Sequence, residues 1–414
     1  MRRILHFGVT LAIVLNGAIT LFNLAFSVSL LRTGLPVASD FTVFYAGGRL
    51  MRDGPRERIY DLRTQAEVEQ QVIRETREPF PEWKSGMMPY NYPPHAALAF
   101  VPLSFLDFKN ASRLWVAFNL LLELYAFLLL FRLTRGWSAR ERVVFLTTAF
   151  ALRSWAFNVY FGAFSAIIFV CALRFYQSIK AGRDAFAGVS LAVATLKPQH
   201  AFVPAAALAF GRRWRALAAA ALALAAPCLA AMALCGWRVW FDYLALLGYL
   251  GRHESDFNIF PWMMANLRGV LFIIVGPDYQ DAVYRVALVG LAASLVLIFV
   301  LWRRGWRPCE WDFDLRMAAT LLISMFASPH LNPQDDLLLI GAAALLYGHS
   351  RRGDGVDARP FVAVLLAAPS VYIVIALLGL LESTWTWHLL PTFTLHAWLL
   401  CCWSPSGSPP RLVK

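Results

Sequence analysis

The chain has 414 residues, 59% hydrophobic and only 15% charged, with 15 Trp, 31 Phe and a mean hydropathy of +0.54. So few polar side chains cannot cover a water-soluble surface, and the composition equally excludes disorder and a small disulfide scaffold. The net charge of +12 is carried by arginines that punctuate apolar runs instead of sharing one soluble face, which is the positive-inside pattern of membrane loops and not a nucleic-acid surface.

At roughly 20 residues per crossing, this content accommodates about 10–13 transmembrane helices. The expected fold class is an all-α polytopic membrane bundle. Arg2 and Arg3 precede an apolar stretch from Ile4 to Leu31. That is too long for the roughly 7–15-residue core of a signal peptide, so it reads as a retained first span with a cytoplasmic N-terminus. Asn16, Thr20, Asn23 and Ser27 form one polar stripe along it, suited to helix–helix packing or to lining a substrate path.

Residues 32–93 are the one long hydrophilic segment, with about nine basic and about nine acidic side chains and therefore no inside bias. One span beyond a cytoplasmic N-terminus, this loop is expected outside. Leu62, Val68, Val72 and Ile73 interleave with polar residues across 61–78, which predicts an amphipathic helix lying on the membrane surface. Asn91-Tyr92-Pro93-Pro94-His95 then returns the chain to an apolar run.

Basic clusters at 132–142, 174–183, 212–215, 303–307 and 351–359 mark inner turns, and they alternate with outer tips at 153–158, 197–200, 328–336 and 382–388. The crossings within 236–285 stay open. Residues 1–403 read as one integral membrane domain, and the Ser- and Pro-rich 404–414 as a short cytoplasmic tail. The six cysteines lie in or beside apolar runs without CxxC spacing, as small buried hydrophobes do.

Between the basic clusters at 174–183 and 212–215, the apolar chain is interrupted by Lys197-Pro198-Gln199-His200. Each half has about 11–12 residues, or roughly 18 Å of helix, too short for a ~30 Å hydrocarbon core. One continuous helix would put the two clusters on opposite sides. Two half-length helices meeting below the outer surface avoid that, and Pro198 disfavours helix at Lys197. Irregular backbone at such depth is tolerated where it lines protein or a water-filled cavity, so Lys197 and His200 are expected to face a cavity open to the outside.

Ser39-Asp40-Phe41 with Tyr45, then Ile59-Tyr60-Asp61, Tyr92-Pro93-Pro94, the run Ala187-Gly188 to Leu196-Lys197-Pro198, and Ser328-Pro329-His330 together resemble glycosyltransferase family 87. The resemblance covers about residues 38–340. It implies a GT-C type multispan enzyme of a bacterial inner membrane, with both termini cytoplasmic and the active site extracytoplasmic. Such an enzyme takes a hexose from a polyprenyl-phosphate donor and passes it, with inversion, to a lipid or glycan acceptor. No cofactor, metal or nucleic acid is implied. Mannose is the family's sugar, but Gly162-Ala163-Phe164-Ser165 stands where the family often has Gly-Gln-x-Asn, so the motif leaves the sugar open.

Transfer to a hydroxyl needs a base, and Asp40, just past the first span, matches the family's presumed base; its structural alternative is a helix cap. The leaving lipid phosphate needs cations. Lys197 and His330 are candidates, with a snorkelling lysine and a backbone-bound loop histidine as alternatives. His200 and Arg49 complete the phosphate-binding candidates, Tyr45 and Tyr92 the substrate-binding ones, each with a structural alternative.

Glu123 shares a face with Asn119 inside a span, where a carboxylate is either functional or paired with an arginine. Asp335-Asp336 reads as a cap pair. Asp312-Phe313-Asp314 imitates a nucleotide-sugar metal motif, but no inner loop is long enough to form a nucleotide-binding domain, so both aspartates read as helix-start carboxylates. The rival reading of the whole chain is a transporter or lipid flippase. Its usual mark, paired broken helices in related halves, is not visible.

Overall fold

A computed structural model describes residues 2–77, 86–253, 256–257, 259–352, 356–377 and 389–403. The expected tip at 382–388 and the tail at 404–414 lie outside the described residues. Among those described, the chain is helical, with no strand. α1 (Arg2–Thr33) is followed by α2 (Asp40–Asp53), α3 (Leu62–Thr76) and the short α4 (Pro94–Leu98). Next come α5 (Phe108–Leu133), α6 (Ala139–Ala151), α7 (Arg153–Phe161) and α8 (Ser165–Lys180). α9 (Asp184–Ala194), α10 (Pro198–Phe210), α11 (Trp214–Cys235), α12 (Val239–Leu250), α13 (Leu267–Val275) and α14 (Gln280–Trp302) form the middle of the chain. α15 (Phe313–Phe326), α16 (Leu337–Ser350), α17 (Arg359–Leu377) and α18 (Leu389–Trp403) close it.

Among the described residues, five stretches are long and apolar enough to cross a membrane: Phe7–Thr33, Phe108–Leu133, Ala139–Phe161, Trp214–Cys235 and Pro277–Trp302. Their outer faces carry bare hydrophobics, including Phe22 on α1, Leu222 and Leu229 on α11, and Val289 and Val296 on α14. An apolar surface of that extent belongs against lipid. The polar stripe of α1 points the other way and joins helices. Asn16 donates to Thr148 Oγ1 and to the Leu366 carbonyl, both at 3.1 Å, and Asn23 donates to the carbonyls of Phe150, Ala151 and Leu152 where α6 breaks into α7.

The two ends of the bundle differ. At one end, Glu141 meets Arg351 at 3.0 Å, Asp314 meets Lys180 at 2.6 Å and Arg352 at 2.9 Å, and Asp184 meets Arg213 at 3.5 Å. At the other end, the start of α5 packs on the end of α1, and the α7–α8 turn packs on α2. Gly162 makes that last contact possible. It adopts φ +63°, and a Cβ there would lie 2.7 Å from Phe41, while Trp115 donates to its carbonyl at 2.7 Å.

The polar segment after α1 gathers at this second end. α3 is amphipathic as its sequence predicts, but its apolar stripe covers protein, not membrane. Val72 is buried, Ile73 packs on the main core, and Leu62 and Val68 pack on a smaller cluster built from α2, α12 and the 87–101 segment. Within the open stretch 236–285, α12 has 12 residues and α13 has 9, about 18 and 14 Å of helix, so neither spans the core, and a candidate span begins at Pro277. α12 packs beside α2 and the 59–60 turn, at the same end.

Candidate active site

Lys197 stands between α9 and α10 with φ −123° and ψ 87°, outside the helical region, and Pro198 opens α10 at its first position. Pro198 bars a helical conformation for Lys197, so the chain turns back here instead of crossing. The ion pair between Asp184, at the start of α9, and Arg213, past the end of α10, brings the outer ends of both half-helices together at the arginine-rich end. Lys197 is thereby held inside the bundle, only 2% exposed.

Its ammonium lies 2.7 Å from Asp335 Oδ1 and 3.4 Å from Ser165 Oγ. Ser165 donates to the same carboxylate oxygen at 2.5 Å, and Asp335 Oδ2 accepts the Asn332 N–H at 3.0 Å. Asp335 is thus a cap for its turn, as expected, and also the buried partner of Lys197, a role not foreseen. Ser165 occupies the last position of the departed Gly-Gln-x-Asn pattern and still serves this cluster.

The turn Pro333–Asp336 also reaches Asp40: Gln334 donates from Nε2 to Asp40 Oδ2 at 3.3 Å. Asp40 is the first residue of α2, and Ser39, at the N-cap position, makes no side-chain cap. Burial pushes the Asp40 carboxyl up to about 6, partly opposed by the Lys197 ammonium, with Asp335 adding to the rise.

A cavity of about 640 Å³ opens beside this cluster. Tyr92, Lys197, Arg268 and His330 are among its polar lining residues, and leucines, alanines and Phe202 from α9, α10, α11, α12 and α14 form most of its apolar wall. Arg268 is buried, donates to the Pro329 carbonyl at 2.9 Å, and has its guanidinium 4.8 Å from the Tyr284 ring. Asn266 holds the Ser328 carbonyl at 2.9 Å, so the 266–268 segment clamps the loop bearing His330. Tyr92 stands edge-on to Phe44 and Phe164.

Four expected residues are placed elsewhere or differently. His200 is buried behind Lys197, with Nε2 3.6 Å from Asp335 Oδ2, and faces a small apolar pocket instead of the large cavity. Arg49 is tied up with Glu75 at 2.7 Å, on the face of α2 that meets α3. Tyr45 is buried and donates to the Leu106 carbonyl at 2.6 Å, a packing role. His330 lines the cavity while its main chain is locked by Ser328, whose hydroxyl donates to the His330 carbonyl at 2.6 Å.

The Asp312-Phe313-Asp314 motif is absorbed in ion pairs: Asp312 lies 2.8 Å from Arg316, and Asp314 joins Lys180 and Arg352. Glu123 makes no ion pair among the described residues. No group of three or more metal-ligating side chains occurs among the described residues.

The model of glycosyltransferase family 87 matches residues 90–329, more than half of the chain. The chain belongs to glycosyltransferase family 87. It is a membrane glycosyltransferase. No curated protein and no solved structure matches it. The matched stretch includes Tyr92, Ser165, Lys197 and Arg268, ends one residue before His330, and begins after Asp40. The sequence marked Asp335 only as a cap and gave no role to Gln334 or Arg268. Arg268 did carry a signal, as a lone charge in the apolar run Leu267-Arg268-Gly269-Val270-Leu271-Phe272.

Proposed function

We propose that this family 87 enzyme moves one hexose, mannose being the family's sugar, from a polyprenyl-phosphate donor to a hydroxyl of a lipid or glycan acceptor. The observation that carries the reading is the two-part character of the large cavity. A long apolar wall ends at Lys197, Arg268 and His330, which suits a lipid chain ending in a phosphate.

In the proposed reaction, the acceptor hydroxyl gives its proton to ionised Asp40 and attacks the anomeric carbon from the face opposite the phosphate. The bond from that carbon to the phosphate oxygen breaks, its electron pair stays on the leaving polyprenyl phosphate, and the configuration inverts. Arg268 and Lys197 stabilise the developing charge, with His330 as a hydrogen-bond donor. Asp335 holds Lys197 in place. Because the opposite end carries the arginine clusters, we assign the site end to the extracytoplasmic face of a bacterial inner membrane and both termini to the cytoplasm. The transporter reading gains no support, since the α9–α10 break has no counterpart in a related half among the described residues.

The test is binding of polyprenyl phosphate, the product common to all such donors, to the purified protein in lipid nanodiscs. Arg268→Met should weaken binding about tenfold or more, as the loss of a charge-assisted hydrogen bond requires. Equal binding of the phosphate-free polyprenol would overturn the assignment.

A further inference from the structure

A second cavity, of about 410 Å³, shares no lining residue with the first. The turn Pro333–Asp336 touches both regions: Asp335 turns to Lys197, whereas its neighbour Asp336 lines the second cavity. The remaining walls come from α1, the end of α6, α7, α16, α17 and α18, and include Phe22 of α1, which is 68% exposed on the lipid-facing surface. The occupant of such a space enters from the bilayer.

Its polar wall is specific. Asp336 is only 5% exposed, and its Oδ1 has no hydrogen-bond partner among the described residues. A buried carboxyl oxygen without a donor is costly, so this wall favours a ligand that brings one. Arg153 lines the same cavity with its guanidinium 4.2 Å from the Tyr372 ring and 5.3 Å from Phe157, which fixes a cation near that carboxylate.

We propose that this cavity is a binding site for a phospholipid whose head group carries a primary amine. The phosphate meets Arg153, the ammonium donates to Asp336, and the acyl chains lie along α1 and α17. Burial holds the Asp336 carboxyl well above the ordinary range, so its ionisation calls for the cation that such a head group brings; a purely anionic head group brings none, and a quaternary amine has no N–H to give. The site is independent of the transfer reaction proposed above.

Native mass spectrometry of the full detergent-purified chain, titrated with dioleoyl phosphatidylethanolamine, phosphatidylcholine and phosphatidylglycerol, tests the assignment. Phosphatidylethanolamine should be retained about tenfold over phosphatidylcholine, as one charge-assisted hydrogen bond implies. Asp336→Asn should bring the two lipids to parity. Ala368→Trp, which fills the cavity without touching either charge, should abolish the retained lipid. Equal retention of all three lipids by the unsubstituted protein, a preference for phosphatidylglycerol, or phosphatidylethanolamine retention that survives Ala368→Trp would each overturn the proposal. The comparison among lipids on the unsubstituted protein decides the matter even if a variant fails to fold.

Discussion

Asp40 is held at the first position of α2, where the helix dipole favours a carboxylate, yet burial raises its carboxyl to about 6, well above the ordinary 3.8. Two expectations follow. As the base, Asp40 must be ionised, so turnover should fall as pH drops through about 6, and Asp40→Asn should lose at least about 10²-fold. A folded-state value above the unfolded one means the group favours folding below about pH 3.8 and loses that contribution as pH rises through 6. Asp40→Asn should therefore raise Tm at pH 7.5 and leave it unchanged near pH 4; a lowered Tm at pH 7.5 with near-normal turnover would make Asp40 a cap. Lys197 is different, because its partner Asp335 is equally buried. Lys197→Met strands that carboxylate and should cost about 3–5 kcal/mol of stability, while Lys197→Met with Asp335→Asn should recover most of it but not the turnover. Thermal unfolding and donor turnover on the two variants separate these effects. The sequence singled out Asp40 and Lys197 by a position just past a span and a proline inside an apolar run. Arg49 and Tyr45 instead turn to Glu75 and the Leu106 carbonyl, because a place near Asp40 along the chain does not fix which face of α2 a side chain takes.

At the scale of elements, the broken pair α9 and α10 positions the buried ion pair, and its seat is made of small residues. α9 lies against α11 through Gly188, where a Cβ would come within 2.3 Å of the Ala216 carbonyl oxygen and 2.7 Å of Ala219 Cβ. Neither neighbour can yield as a flexible side-chain tip would, so Gly188→Leu should push α9 outward. A destabilisation of about 1–3 kcal/mol is expected, with weakened polyprenyl-phosphate binding, since Leu191 on α9 and Leu217 on α11 both line the cavity. Unchanged binding would show that the cavity does not depend on this packing. The break itself was legible because charge bias and segment length conflicted for a single crossing. The destination of the α3 stripe was not: an amphipathic face says that something apolar covers it, and the choice between membrane and protein depends on where α2 and α12 lie.

On the scale of the whole molecule, apolar content and alternating arginine clusters already implied a polytopic helical bundle. The convergence of residues 40, 165, 197, 268, 330 and 335 on one end was legible only in part, because it depends on which helices are neighbours. With the six native cysteines removed, Glu67→Cys should react with an impermeant maleimide in intact cells and Ser138→Cys should not. Reaction at 138 alone would invert the assigned orientation and remove the acceptor from the proposed site. The deciding measurement is sugar transfer by the purified protein from a polyprenyl-phosphate hexose panel and from nucleotide sugars, with total membrane lipids as acceptor, with and without EDTA. Transfer from a polyprenyl-phosphate hexose, undiminished by EDTA and lost in Asp40→Asn, is the predicted result. Transfer from a nucleotide sugar in the absence of polyprenyl phosphate, abolished by EDTA, would contradict it.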